Sequence, residues 1–217
     1  MNLAEQGMAA YLGEERLRYL QTVAVGVAGC GGLGSNCAMH LARSGFKRFV
    51  LADFDRVDPS NLNRQAFTFD QLGLLKVRAL AANMLAVNPD LQLDLQAVEV
   101  TPDNMTTLFA HCDAVVEAFD GADAKKALVE TFMQSDTFLV TASGIGGFGD
   151  ADSIVTRRVR DRLVMVGDME TECTADNPPL SPKVGVAAAK QADAVLHHYL
   201  SKFDRRSVVH AVEGREQ

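Results

Sequence analysis

The chain has 217 residues, a net charge of −7 and the composition of an ordinary globular protein, long enough for one domain with a full core. Its acidic balance argues against a nucleic-acid partner, and no apolar run reaches the ~18 residues of a membrane span. The start lacks a basic stretch followed by an apolar core, so no signal peptide is expected, and the four cysteines (Cys30, Cys37, Cys112, Cys173) form no C-x-x-C pair, which fits a reducing cytoplasm.

Residues 8–20 read as a helix with Leu12, Leu17 and Leu20 inward and Arg16 and Arg18 as solvated charges. Residues 23–27 form a buried strand, followed by a turn holding Gly29, Gly31, Gly32 and Gly34. A helix through Ala38, Leu41 and Ala42 stops at Ser44-Gly45, and a second strand over 49–52 leads into Asp53 and Asp55. Strand, glycine turn, helix, strand, acid is the mononucleotide-binding half of a Rossmann-like sheet. The glycines let backbone approach a phosphate, and the unpaired N–H groups of the next helix start favour its charge.

Residues 58–65 suit neither helix nor strand and lie beyond a strand's carboxyl end, where doubly wound sheets place ligands. A helix is expected over 70–87, with Lys76 off its apolar stripe and Asn88-Pro89 ending it. Then come a strand within 91–100, a short helix from Thr101 to Phe109, a strand over 114–119 ending at Asp120-Gly121, a helix over 122–133 and a strand over 138–141. Such alternation implies a mostly parallel α/β sheet with helices on both faces.

After Ser143 the pattern changes to a flexible loop with Gly144, Gly146, Gly147 and Gly149. Residues 154–159 and 163–166 suggest an antiparallel pair carrying Arg157, Arg158, Arg160 and Arg162, read as a solvated face. Residues 168–182 read as an exposed loop bearing Cys173, residues 184–203 as a long helix, and residues 207–212 as a last short strand. His197 and His198 are adjacent on that helix and so do not face one another, which argues against a metal site. Cys30 and Cys37 read as small apolar packing groups near the glycine turn.

Gly29-x-Gly31-x-x-Gly34 by itself is common to many dinucleotide enzymes, and Asp53 lies 19 residues beyond Gly34, close to the ~20 of a ribose-binding acid. An NAD-binding oxidoreductase is therefore one reading. Hydride transfer does not call for the further Asp55, Asn61, Arg64, Lys76 and Asp120. Nucleotidyl transfer does, because cations neutralise charge developing on phosphates and a carboxylate can hold Mg²⁺.

Five stretches occur in one order and spacing: Gly29-Cys-Gly-Gly-Leu-Gly-Ser35, Leu-Ala-Asp53-Phe-Asp55-x-Val57, Ser60-Asn-Leu-Asn-Arg-Gln65, Gly73-Leu-Leu-Lys76, and Asp120. Together they resemble the ThiF/MoeB family, adenylyltransferases that activate ubiquitin-like sulfur-carrier proteins, and in length the chain is most similar to the short thiamine-type members. The resemblance implies that the backbone of Gly29, Gly31, Gly32, Leu33 and Gly34 cradles the phosphates of ATP and that Asp53 binds the ribose with Asp55 in support. It further implies that Asn61, Arg64 and Lys76 contact phosphates and that Asp120 coordinates Mg²⁺. Arg64, Lys76 and Asp120 are thus the candidate catalytic residues, joined by Cys173, because some members carry a cysteine in the loop matching 168–182 that bonds to the carrier. The implied partners are a ThiS-like carrier, a sulfur-donor protein and a second copy of the chain. Zinc is not expected, since the paired cysteines of longer relatives are missing. A silent relative that binds a carrier or nucleotide without chemistry is a third reading.

Overall fold

The computed structural model describes residues 1–213. At its centre is a seven-stranded sheet of order β3-β2-β1-β4-β5-β7-β6. The strands are β1 (Ala24–Ala28), β2 (Arg48–Ala52), β3 (Gln92–Gln96), β4 (Ala114–Glu117), β5 (Phe138–Ala142), β6 (Val155–Arg160) and β7 (Leu163–Gly167). All neighbours pair in parallel except β6 with β7. The order runs outward in both directions from β1 and β4, so the topological switch point lies between them, and it is at the carboxyl ends there that sheets of this kind form their ligand crevice.

Helices cover both faces. α3 (Gly32–Arg43), α4 (Lys76–Val87) and α7 (Ser181–Glu213) lie on one face, and α5 (Met105–Leu108) and α6 (Ala122–Phe132) on the other. The larger core takes Val25 and Val27 of β1 with Leu41, Leu80 and Val195. The smaller takes Phe109, Leu128 and Phe132. Strict alternation along β1 explains the split. Gly26 points to the second core, where a Cβ would stand only 2.5 Å from the Phe109 ring.

Several boundaries differ from expectation for local reasons. The first helix is two, α1 (Leu3–Leu12) and α2 (Glu14–Thr22), broken at Gly13 with φ 82°; Leu17 and Leu20 of α2 are fully buried. The helix expected over 70–87 begins only at Lys76. Gly73 takes φ 80° and Leu75 bridges Arg56, so residues 69–75 form a 3-10 turn (Phe69–Gln71) and a short return instead. The strand expected over 207–212 is instead a continuation of α7. Ala187, Ala188 and Ala192 of α7 are buried within the chain itself, where α7 lies along α3.

Candidate active site

The first wall of the crevice is the turn after β1. Gly29 has φ 95°, and a Cβ there would stand 2.8 Å from the Ala118 carbonyl oxygen of the neighbouring β4 segment. At Gly34 a Cβ would stand 1.8 Å from the Gly29 carbonyl oxygen, so the turn closes on itself only without side chains. Gly31 caps α3 and has no side chain to accept a hydrogen bond. The first-turn N–H groups of α3 are therefore left for an anion. Leu33 sends its side chain into the core and leaves only backbone to the turn.

Asp53 immediately follows β2 and is buried. Its Oδ2 accepts from Cys30 N at 2.7 Å and its Oδ1 from Asp55 N at 2.8 Å, so it ties the second strand to the glycine turn. Burial raises its pKa, and those two backbone donors and Lys76 offset only part of the effect. Each oxygen keeps a lone pair for a ribose hydroxyl.

Lys76 is the first residue of α4, and its N–H is satisfied by the Asp55 carbonyl oxygen at 2.9 Å. Its buried side chain crosses to Asp55, with Nζ 2.8 Å from Oδ2. The late start of α4 is what brings this amine to the crevice. Arg64 approaches from the 58–65 loop: its Cγ would lie 3.4 Å from a Cβ at Gly32. Asn36 of α3 clamps that approach by donating to both the Gly32 and Arg64 carbonyl oxygens, at 2.7 and 2.8 Å. The Arg64 guanidinium binds the Ser60 carbonyl and Asn63 Oδ1. Asn61 turns inward instead; its Oδ1 accepts from Asp58 N at 3.0 Å and closes a 3-10 turn (Pro59–Asn61).

Asp120 follows β4, is exposed, and makes no hydrogen bond or ion pair with the described residues. Cys173 stands in the loop over 168–182 within electrostatic range of Arg64, Lys125, Lys183 and Asp120, so the loop crosses above the same crevice. Desolvation nevertheless pushes the Cys173 thiol up, against the pull of the three cations. Cys30, Cys37 and Cys112 are buried free thiols that burial likewise pushes up. Among the described residues no three His, Cys, Asp or Glu side chains converge as a metal site.

Comparison with known proteins identifies the family and the fold. A family model, the ThiF family, matches residues 3–211. The chain belongs to the ThiF family. Among its relatives, the tRNA threonylcarbamoyladenosine dehydratase of Escherichia coli (strain K12) is 33% identical over 150 residues, 68% of this chain and 56% of that protein. Ubiquitin-like modifier-activating enzyme 5 of Drosophila melanogaster is 40% identical over 99 residues, 46% of this chain and 24% of the relative. The chain thus matches about half the length of the first and a quarter of the second. The E. coli dehydratase in complex with AMP superposes with a TM-score of 0.83 at 24% identity, covering 92% of this chain and 95% of that one. Its complex with ATP gives 0.80 at 25%. The ThiF-family fold of this chain is therefore the E1-like adenylyltransferase fold.

Sequence reasoning missed four charged residues around the crevice of this ThiF-family chain. Glu117, fully buried at the end of β4, accepts from Lys125 Nζ at 2.7 and 2.8 Å, from Phe119 N at 2.8 Å and from the Thr141 hydroxyl. Lys183, buried at the start of α7, donates to the Gly146 carbonyl at 2.9 Å and to Asp168 Oδ2 at 3.0 Å. Burial alone would raise the Asp168 carboxyl; the Thr171 hydroxyl, two backbone N–H groups and Lys183 instead hold it well below the usual carboxylate range. An acid closing an apolar strand run was the one signal available for Glu117; nothing local marks Lys183 or Asp168. Gln65 was noticed only as part of the loop. It is 8% exposed, its Oε1 has no partner, and its Nε2 lies 3.9 Å from where a Gly31 Cβ would be.

Proposed function

We propose that this ThiF-family chain is an ATP-dependent adenylyltransferase that joins AMP to a carboxylate and releases pyrophosphate. The observation that carries this reading is the convergence at the switch point of an uncapped helix start, two cationic side chains and an unpartnered carboxylate. The residues present fit a nucleotide. The bare Gly31 end of α3 offers N–H groups to phosphates. The orphaned Gln65 Oε1 offers an acceptor to a nucleoside N–H or O–H, and Asp53 offers a second to the ribose.

In this reading the substrate carboxylate attacks the α-phosphorus and the bond to the β-phosphate breaks. Pyrophosphate leaves, and an acyl-adenylate remains. Lys76 and Arg64 stabilise the charge that develops on the phosphates as that bond breaks. Asp55 keeps Lys76 extended across the crevice. Asp120 is the residue that would hold Mg²⁺, since that ion takes one or two carboxylates together with phosphate oxygens. Bound there, the ion would supply further charge neutralisation. Asn61 contributes by shaping the loop, and only its amide nitrogen remains for a phosphate.

We assign the carboxylate to the C-terminal glycine of a ubiquitin-like carrier, ThiS-like in a thiamine pathway with a sulfur donor attacking the adenylate. The resemblance and the ubiquitin-like modifier-activating relatives support this. A second reading is favoured by the tRNA threonylcarbamoyladenosine dehydratase relative: dehydration of a carboxylate-bearing group also proceeds when AMP carries the oxygen away. A homodimer belongs to the proposal on the resemblance, and a cytoplasmic location on the unpaired cysteines.

ATP–pyrophosphate exchange tests both. Exchange dependent on an added carrier with a free C-terminal glycine supports the first substrate, and exchange dependent on tRNA bearing the modified adenosine supports the second. Tight NADH binding with no ATP binding would sink adenylation altogether.

A further inference from the structure

The arginine run at 157–162 is exposed throughout, yet two of its members do more than face solvent. Strand β6 is exposed along its whole length, but Arg158 and Arg162 lean with α7 around a cleft of about 470 Å³. From α7 come His197, His198 and Arg205. This cleft lies at the opposite end of the sheet from the crevice described above. Arg160 pairs with Leu163 at the amino end of β7, and Arg162 immediately precedes that strand. The first turn of α7 touches the glycine turn through Val184, near Gly32, so its later turns, with His197 to Arg205, reach the amino-terminal edge.

We propose that this cleft is a second binding site, selective for a ligand carrying linked phosphates, formed by Arg158, Arg162 and Arg205 with His197. The inference is independent of the adenylation reading. Three guanidinium groups arrive from three different places: the middle of β6, the β6–β7 turn and the last third of α7. Arg158 is held by one hydrogen bond to the Asp161 carbonyl oxygen at 2.8 Å, which fixes its fork and leaves its charge uncompensated. Arg205 makes no hydrogen bond or ion pair with the described residues. Arg162 pairs with Asp136, whose side chain is 99% exposed, and a surface pair of that kind holds an arginine weakly. Asp161 also lines the cleft, yet its carboxylate pairs with none of the three.

In a chain of net charge −7, such a gathering of one sign creates a local field opposite to that of the whole molecule. That field is felt at His198, whose ring stacks on Phe138 at 3.9 Å between centroids. Its pKa is lowered to about 4, first by burial and then by Lys202, Arg158, Arg205 and Arg162. Planar guanidinium forks match the tetrahedral oxygens of phosphate in pairs, which a carboxylate offers only in one plane. The cleft's volume falls within the range of small-molecule sites, about 300–1,000 Å³, and exceeds what a single inorganic ion needs. Linked phosphates therefore fit better than one.

Two sources share that chemistry, a small polyphosphate and a stretch of nucleic-acid backbone. The test uses the full chain labelled at histidine, titrated with sodium tripolyphosphate, with a short single-stranded RNA and with a triglutamate peptide. Resonances of His197 and His198 are followed, so that binding at the glycine turn is not counted. Saturable shifts with tripolyphosphate or RNA are expected, and the tighter of the two identifies the source. Binding should weaken as salt is raised. Arg205→Gln and Arg158→Gln should each weaken it about tenfold, the loss of one charge-assisted hydrogen bond. Both side chains are exposed, so the variants keep the fold; unchanged thermal melting checks this. Absence of histidine shifts with either phosphate probe would overturn the proposal. So would equal affinity for triglutamate, or affinity for the phosphate probes that both variants leave intact.

Discussion

Replacing Lys183 by Met tests how the loop over residues 168–182 is held above the crevice. The Lys183 and Asp168 side chains are 6% and 10% exposed and 3.0 Å apart. Removing one partner from a buried pair costs about 3–5 kcal/mol, because the other charge stays buried without compensation. Asp168 keeps the Thr171 hydroxyl and the N–H groups of Glu170 and Thr171 at 2.9 and 2.8 Å, which pulls the figure to the low end. The Gly146 carbonyl oxygen also loses its donor, which adds about 1 kcal/mol. The expected loss is therefore about 3–4 kcal/mol, a fall in Tm of roughly 6–16 °C for a chain of this size.

Urea unfolding of both proteins from about pH 7 to about pH 3 checks the sign as well. Asp168 has a folded pKa below its unfolded value of about 3.9. Its contribution is thus complete above that value and lost as pH falls through the folded pKa. In Lys183→Met the carboxyl titrates at higher pH. The gap between the two proteins should be full at neutral pH and narrow as the pH falls through the variant's raised carboxyl pKa towards the wild type's. A neutral-pH difference under about 1 kcal/mol, or a gap that does not narrow at all between about pH 7 and about pH 3, would refute the reasoning.

Asp120→Ala should abolish pyrophosphate exchange and move Tm by no more than about 1 °C, since the side chain is exposed and touches nothing that it stabilises; normal exchange would remove Asp120 from the metal role. Gly34→Ala should weaken ATP binding, measured by calorimetry, and destabilise the fold by about 1–3 kcal/mol, because the new methyl collides with the Gly29 carbonyl. Cys173, its thiol pushed up by desolvation, should alkylate with iodoacetamide at about pH 8 more slowly than a free cysteine. Cys173→Ser should leave pyrophosphate exchange unchanged, because forming the acyl-adenylate does not use the thiol, and loss of exchange would contradict this. His198 should titrate by NMR with a midpoint near pH 4; an ordinary histidine midpoint would contradict its packing on Phe138.

The strands and the glycine turn were legible because their signals are local. Apolar β-branched runs, glycines at fixed spacing and an acid at the next strand's end each act within a few residues. The site was half legible. Asp53, Arg64, Lys76 and Asp120 stand in recognisable spacings, and the structure brings them to one crevice. Glu117, Asp168 and Lys183 were not, since a buried charge is explained only by its partner. Lys183 meets Asp168 fifteen residues away and Gly146 thirty-seven away. Element ends were misread where competition was local but subtle: Gly73 at φ 80° delayed α4 to Lys76, and the β-branched residues after Phe203 were absorbed into α7 rather than starting a strand.

The sequence by itself therefore determined the alternation of strands and helices, the glycine turn and the candidate residues spaced around it. Only the tertiary structure decided which face of β1 needed a glycine, where Lys76 points, and that Arg158, Arg162 and Arg205 share a cleft at the far edge. The reason is range. Backbone preference and periodicity are written within a turn or two of chain, whereas burial and charge pairing depend on residues that only parallel crossovers bring together.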